Sequence, residues 1–379
     1  MNPIKKLFTA FILVLSLVGQ FTNSATADHH IKVLPTFRGN HQNTGIFPGP
    51  APTKGKLRWK FKAASRIRSS PIVHKGIVYF GTEMHGSRSA PPYLYAVDIA
   101  SGKLLWKYRT LASIANAAAI AGNTIYVGDA GNTLYAIDLN THEVKWVFKG
   151  KEGFGGASPI IVGQKLYIGN MDDHFYALDL NQNGLDNWTF KARRGIMDTV
   201  AYSKSVFFFP SYKTLLAVKE SDGNKLWSYN AKQLIYAPAA ISDNRIYVGT
   251  KSKELHAIDA EFGKLIWKFK APGKIRVTPA VTKDTIFFGS DHAYFYALNK
   301  QDQSTRWKFK ISSIIDNSPI IAENFIYFGL ADGTISALNT QTGNLLWDFK
   351  IGELQCPSGF ISDGTFFIGS DDTYLYAIE

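Results

Sequence analysis

The sequence predicts an all-β protein, an eight-bladed β-propeller of four-stranded antiparallel blades, and three observations carry that expectation. The eight tryptophans, Trp59, Trp106, Trp146, Trp188, Trp227, Trp267, Trp307 and Trp347, follow one another at intervals of 47, 40, 42, 39, 40, 40 and 40 residues. A period near 40 made of short strands marks propeller blades, because helical repeats of that length would need amphipathic runs of roughly ten residues or more. An aromatic-x-Gly ending recurs as Tyr79-Phe80-Gly81, Tyr126-Val127-Gly128, Tyr167-Ile168-Gly169, Tyr247-Val248-Gly249, Phe287-Phe288-Gly289, Tyr327-Phe328-Gly329 and Phe367-Ile368-Gly369, with Phe209-Pro210 in the fourth unit. Finally, the chain stops one strand short of a complete last unit, and a spare strand stands near its beginning.

The 379 residues suit a single closed ring, and the abundance of Gly (32), Tyr (18) and Phe (26) favours short aromatic strands joined by tight turns. Residues 1–27 read as a cleavable secretory signal: Lys5 and Lys6 precede an apolar run from Leu7 to Val18, and Ala25-Thr26-Ala27 offers a cleavage site. At about 1.5 Å per residue that run is too short for a bilayer core of roughly 30 Å, so no transmembrane segment is expected after cleavage. The single cysteine, Cys356, lies far from the signal and offers no lipid-attachment site. It also excludes an intrachain disulfide, a C-x-x-C-H haem site and any cysteine-rich zinc site. These features predict a periplasmic or secreted monomer. The formal charge of +12 favours acidic partners or anionic envelope surfaces, and export argues against nucleic acid as a partner.

Residues 28–54 form an N-terminal lead-in, and the propeller is expected over 55–379. In the unit ending at Trp267, strands A to D are expected at Ala237–Ile241, Arg245–Gly249, Leu255–Asp259 and Lys264–Phe269. Strand C carries an alanine in every unit (Ala96, Ala136, Ala177, Ala217, Ala257, Ala297, Ala337, Ala377), a small residue expected to admit a large one, the tryptophans above all, from an adjoining blade. The turn between C and D reads Asp-x-x-Thr/Ser-Gly, as in Asp98-Ile99-Ala100-Ser101-Gly102, where the acid accepts turn N–H groups and glycine takes the positive φ. Lys219, His142 and Gln303 mark units whose turns need another solution. The last unit ends at Leu375-Tyr376-Ala377-Ile378-Glu379 without a strand D. Gly55-Lys56-Leu57-Arg58-Trp59 repeats the spacing of Gly102 to Trp106, so its pairing with the C-terminal unit closes the ring.

The alanine, the acid or amide, the Thr-Gly turn and the tryptophan together resemble the pyrroloquinoline quinone-like (PQQ-like) repeat, close to A-x-D-x-x-T-G-x-x-x-W. The resemblance covers nearly all of the chain after residue 50. Phe37-Arg38-Gly39-Asn40 followed by Asn43-Thr44-Gly45 is similar to the lead-in of exported proteins of this class. The resemblance implies two kinds of function. One branch, the quinoprotein dehydrogenases, holds PQQ and calcium on the propeller axis with an aspartate base; its members are longer and many carry a vicinal disulfide that this chain cannot form. The other is similar to the BamB family of outer-membrane assembly factors, non-enzymatic propellers of nearly this size that bind other envelope proteins; its members are typically lipoproteins. The leading expectation is a non-enzymatic binding or scaffold propeller of the bacterial cell envelope with no cofactor. The alternative is a small quinone-dependent dehydrogenase of alcohols or sugars, with PQQ and calcium.

With alternating strands, the D-to-A and B-to-C loops share one face, and partner contacts in the BamB family come from such inter-blade loops. The candidates there are Arg66, Arg68, Arg193, Arg194, Asp198, Tyr236, Lys274 and Arg276, for which solvated loop charge is the plainer reading. A rim of Asp129, Asp172, Asp173, Asp291, Asp332, Asp371 and Asp372 has the ligand type for calcium, but the same residues are what hairpin turns select. The longer B-to-C connection of the first unit, around Met84-His85-Gly86-Ser87-Arg88, is placed to cover the channel mouth, to grip a partner or to sit passively on the surface. Asp179-Leu180-Asn181-Gln182-Asn183-Gly184 opens like an EF-hand loop, yet its twelfth position is Phe190 rather than a glutamate. No H-E-x-x-H or G-x-S-x-G occurs, so no catalytic residue and no metal ligand is assigned.

Overall fold

The computed structural model describes residues 34–84, 90–291, 294–352 and 357–379. The expected leader, Cys356 and positions 85–89 of the first-unit insertion lie outside them. Eight four-stranded antiparallel sheets follow one another around the ring. Blade 1 has strands A to D at Ile72–His74, Ile77–Gly81, Tyr93–Asp98 and Leu104–Arg109, and blades 2 to 7 repeat this order. Blade 8 takes its strands A to C from Phe360–Ser362, Thr365–Gly369 and Tyr374–Ile378. Its strand D is Leu57–Lys62 from the other end of the chain, with Trp59 opposite Ala377 and Lys62 opposite Tyr374. The closure predicted from strand counting is the one observed.

Strand A is shorter than the sequence suggested. In blade 5 it covers Ala240–Ser242 rather than starting at Ala237, because Pro238 has no N–H to give and residues 237 and 238 line the channel mouth. The tryptophans meet the strand-C alanines from within the same blade, a correction to the expected inter-blade partner. Ala96 is the cross-strand neighbour of both Tyr79 and Trp106, whose rings meet 5.9 Å apart over it. The same trio recurs as Tyr167, Ala177 and Trp188, and as Tyr327, Ala337 and Trp347.

The small residue that receives a neighbouring blade's tryptophan is instead the C-to-D turn glycine. A Cβ on Gly263, at φ 66°, would stand 2.5 Å from the Trp227 ring, and one on Gly102 would stand 2.6 Å from Trp59. The indole N–H then donates to a carbonyl in the same turn, Trp59 to Ile99 (3.0 Å), Trp227 to Ala260 (3.1 Å) and Trp307 to Thr340 (2.9 Å). Two turns lack the glycine and hold a side chain at positive φ, His142 at 61° and Gln303 at 60°. Trp106 stacks on the His142 imidazole at 4.8 Å, whereas the indole nitrogen of Trp267 is buried with no hydrogen-bond partner.

Residues 34–47 lie inside the ring and satisfy strand-A edges that face the axis. The carbonyls of Pro35, His41, Gln42, Thr44 and Gly45 accept from the amides of Ile120, Tyr202, Ile241, Val281 and Ile321, in blades 2, 4, 5, 6 and 7. Phe47 then packs edge-on against Phe360 of blade 8 at 4.7 Å. Arg38 is 1% exposed and its guanidinium donates to the Thr278 and Pro279 carbonyls at 3.2 and 3.1 Å. Burial without a carboxylate partner lowers its pKa to about 9.

Candidate functional site

A funnel of about 240 Å³ opens on the axis at the face of the D-to-A loops. That is just below the usual size of small-molecule pockets, roughly 300–1,000 Å³. Phe37 of the N-terminal segment contributes to its lining. All eight blades supply residues because each D-to-A loop returns the chain from the perimeter to the axis.

Four of the eight candidate residues meet in this funnel: Arg68, Asp198, Tyr236 and Arg276, from blades 1, 4, 5 and 6. Arg68 is held in a fork by Asp371, with Nε to Oδ1 at 2.9 Å and Nη2 to Oδ2 at 2.8 Å, and lies 3.3 Å from Glu83. Arg66 joins the same cluster, 3.8 Å from Glu83 and 3.6 Å from Asp371. Arg276 donates from Nε to Asp291 at 2.6 Å and rests over the Tyr236 ring at 5.3 Å. The Asp291 contact raises the pKa of this guanidinium. Asp198 stands apart. It makes no hydrogen bond or ion pair with the described residues, and desolvation pushes its carboxyl up to about 7.

The remaining candidates sit elsewhere. Arg193 lies in a cleft on the outer wall between blades 3 and 4. Arg194 rests over Tyr212 at 5.3 Å, and its backbone carbonyl accepts from the Ser211 hydroxyl. Lys274 uses its carbonyl to fix the Asp291 amide and is absent from the funnel lining.

The carboxylate rim is largely occupied by its own turns. Asp129 accepts from the amides of Gly131 and Thr133 and from the Tyr135 hydroxyl at 2.9 Å. Asp172 accepts from Tyr176 at 2.6 Å, and Asp372 does the same for Tyr376. Asp332 accepts from Thr334 N at 2.9 Å, while Asp291 and Asp371 hold the two arginines. Asp173 takes a turn position at φ 71°. Asp179 folds onto Asn181 N and the Gln182 amide in its own turn. Among the described residues no three His, Cys, Asp or Glu side chains gather as metal ligands.

Sequence reasoning missed a ring of hydroxyls that stitches neighbouring blades at the funnel wall. Ser158 accepts from Ala117 N (3.0 Å), Thr199 from Ser158 N (3.3 Å), Ser318 from Thr278 N (3.1 Å) and Ser70 from Ser358 N (3.0 Å). The signal was present as a repeated Ser-Pro pair before strand A, Ser70-Pro71, Ser158-Pro159 and Ser318-Pro319.

Comparison with solved structures shows the same fold at low identity. A quinohemoprotein alcohol dehydrogenase from Comamonas testosteroni superposes with a TM-score of 0.76 at 13% identity, over 92% of this chain and 80% of that one. BamB from Moraxella catarrhalis gives 0.68 at 17%, over 85% and 98%. A computationally designed protein, Ika8, gives 0.72 at 16%, over 84% and 97%. No curated protein matches by sequence. Among the described residues no helix is long and apolar enough to cross a membrane. The family model described as outer membrane protein assembly factor BamB matches residues 90–233 and 211–379, so this chain belongs to that family of PQQ-like propellers.

Proposed function

We propose that the propeller acts by binding, as a non-enzymatic scaffold of the bacterial cell envelope that seats a protein partner over the funnel on its loop-rich face. The observation that carries this reading is the convergence of Arg68, Asp198, Tyr236 and Arg276 at that mouth, while residues 34–47 fill the channel beneath it. A mixed-charge rim around an aromatic suits a protein contact, in which such groups fix orientation and steer encounter. Family membership supports an extracytoplasmic location, and export by the 1–27 leader belongs to the proposal. Crosslinking in envelope extracts tests it. Arg276→Glu and Asp198→Lys should each lose proteins that the unaltered chain captures, and identical captures from all three would overturn the reading.

A second reading, the quinone-dependent dehydrogenase, is favoured by Asp198, an axial carboxyl with no partner among the described residues, whose pKa near 7 suits a general base. The quinone's carboxylates would have to share Arg68 and Arg276 with Asp371 and Asp291, and when bound the quinone would supply a two-electron acceptor. Asp198 would take the proton of a substrate hydroxyl. Calcium fits less well: among the described residues Asp198 and Asp316 are the only carboxylates in the funnel lining, whereas the ion takes 6–8 oxygen ligands. Incubation with the quinone and calcium separates the readings. Stoichiometric uptake with alcohol- or sugar-dependent dye reduction would establish the dehydrogenase and overturn the scaffold.

A further inference from the structure

The outer wall of the ring is interrupted between blades 3 and 4 by a cleft of about 460 Å³. At other junctions the corresponding space is filled by a ring on strand C that packs on a ring of the preceding strand D. Phe61 and Tyr95 stand 5.6 Å apart, Phe148 and Tyr176 5.0 Å, and Phe269 and Tyr296 5.6 Å. Blade 4 has Leu216 at that position. In blades 8, 1 and 6 a lysine also folds over a tyrosine, Lys60 over Tyr374, Lys107 over Tyr93 and Lys308 over Tyr294. Blade 4 places Ser228 and Thr214 there instead. The cleft therefore departs from the six junctions that carry such a ring pair; only blade 7, with Ser336 at that position, shares the lack of a ring.

Its chemistry is specific. Lys191, Arg193 and Lys225 line it, all three exposed, and none has an ion pair or side-chain hydrogen bond with a described residue. This contrasts with Arg68 and Arg276, each neutralised by an aspartate. Thr214 and Ser228 add hydroxyls, and Phe190, braced edge-on by Phe209 at 6.2 Å, gives one apolar wall. The volume falls within the range of small-molecule sites, roughly 300–1,000 Å³. Three cations with no partner among the described residues favour an anionic ligand. A phenyl face beside hydroxyls matches a sugar ring, which presents C–H groups on one side and hydroxyls at its rim.

We propose that this cleft binds a short acidic saccharide, a sugar of two or three rings carrying carboxylate or phosphate groups. The inference is independent of the axial funnel, since the two sites share no residue.

Isothermal titration of the whole mature protein tests it, with trigalacturonate as the carboxylate probe, glucose 6-phosphate as the phosphate probe, and maltotriose and hexaglutamate as controls. At least one acidic sugar should bind, with affinity falling as salt rises, and maltotriose should not. Lys191→Ala/Arg193→Ala/Lys225→Ala changes exposed residues alone and should weaken binding by roughly tenfold or more. Thr214→Tyr/Leu216→Tyr/Ser228→Lys rebuilds the filled wall of blades 1 and 6. It should abolish binding without lowering the melting temperature, even though it adds a positive charge. No binding of either acidic sugar at about 10 mM, equal binding of maltotriose, tighter binding of hexaglutamate, or an unchanged triple variant would each overturn the proposal.

Discussion

At the scale of single residues, the tryptophan repeat works through the residue that each indole leans on. Gly263 combines a positive φ of 66° with a Cβ direction that points into Trp227, so Gly263→Ala meets strain and overpacking together. We expect a loss of about 1–3 kcal/mol by chemical denaturation. Gln303 is the converse case, a side chain held at φ 60° opposite a Trp267 whose N–H has no partner. Gln303→Gly should raise stability by about 1 kcal/mol, and a lower melting temperature than the parent would refute this account of the turn. Asp198 makes a pH prediction. Its native pKa of about 7 stands above the ordinary 3.8, so between those values the native state holds a proton that the unfolded chain releases. Stability from this group falls as pH rises through that window and is fully lost above it. Asp198→Asn should therefore stabilise the protein more at pH 8 than at pH 4.5. Equal shifts in melting temperature at the two pH values would show that the carboxyl is not desolvated.

At the scale of elements, what could be read in advance was whatever the chain encodes locally. Alternation, turn glycines and the spacing of Ala96 to Trp106 specify a blade within forty residues, and strand counting then dictates closure. The D-to-A loops were legible as a face, and with them Arg68, Asp198, Tyr236 and Arg276. The pairing of the two arginines with Asp371 and Asp291 was not, because those partners come from other loops, in one case from another blade. Nor was the course of residues 34–47: a segment with no period of its own draws its structure from the edges that it satisfies. Arg38 is the clearest instance, a cation whose guanidinium donates to carbonyls roughly 240 residues away in sequence. Arg38→Ala would orphan both carbonyls and leave a cavity in the channel, with an expected cost of about 2–5 kcal/mol. A urea midpoint within error of the parent would show that the segment does not anchor there.

At the scale of the whole molecule, the two ends of the chain do separate work that truncation can resolve. Leu57–Lys62 completes blade 8 as its outer strand, while residues 34–47 bind the inner strands of blades 2, 4, 5, 6 and 7 and touch blade 8 through Phe47. Removing residues 28–48 spares the outer strand. Blade 8 keeps four strands, and the expected result is a folded ring with a lower melting temperature and an open axial channel. Removing residues 28–61 also takes away most of strand D of the last blade, and with it Trp59, whose indole bonds the Ile99 carbonyl across to blade 1. That leaves the Tyr374–Ile378 strand as a bare edge beside an open seam, a template for pairing with other chains. The second deletion should therefore aggregate or lose cooperative unfolding where the first does not, as read by light scattering during a thermal melt. If both truncations melt alike and stay monomeric, the seam between the two ends is not what holds the ring, and the stabilisation lies in the inner segment alone.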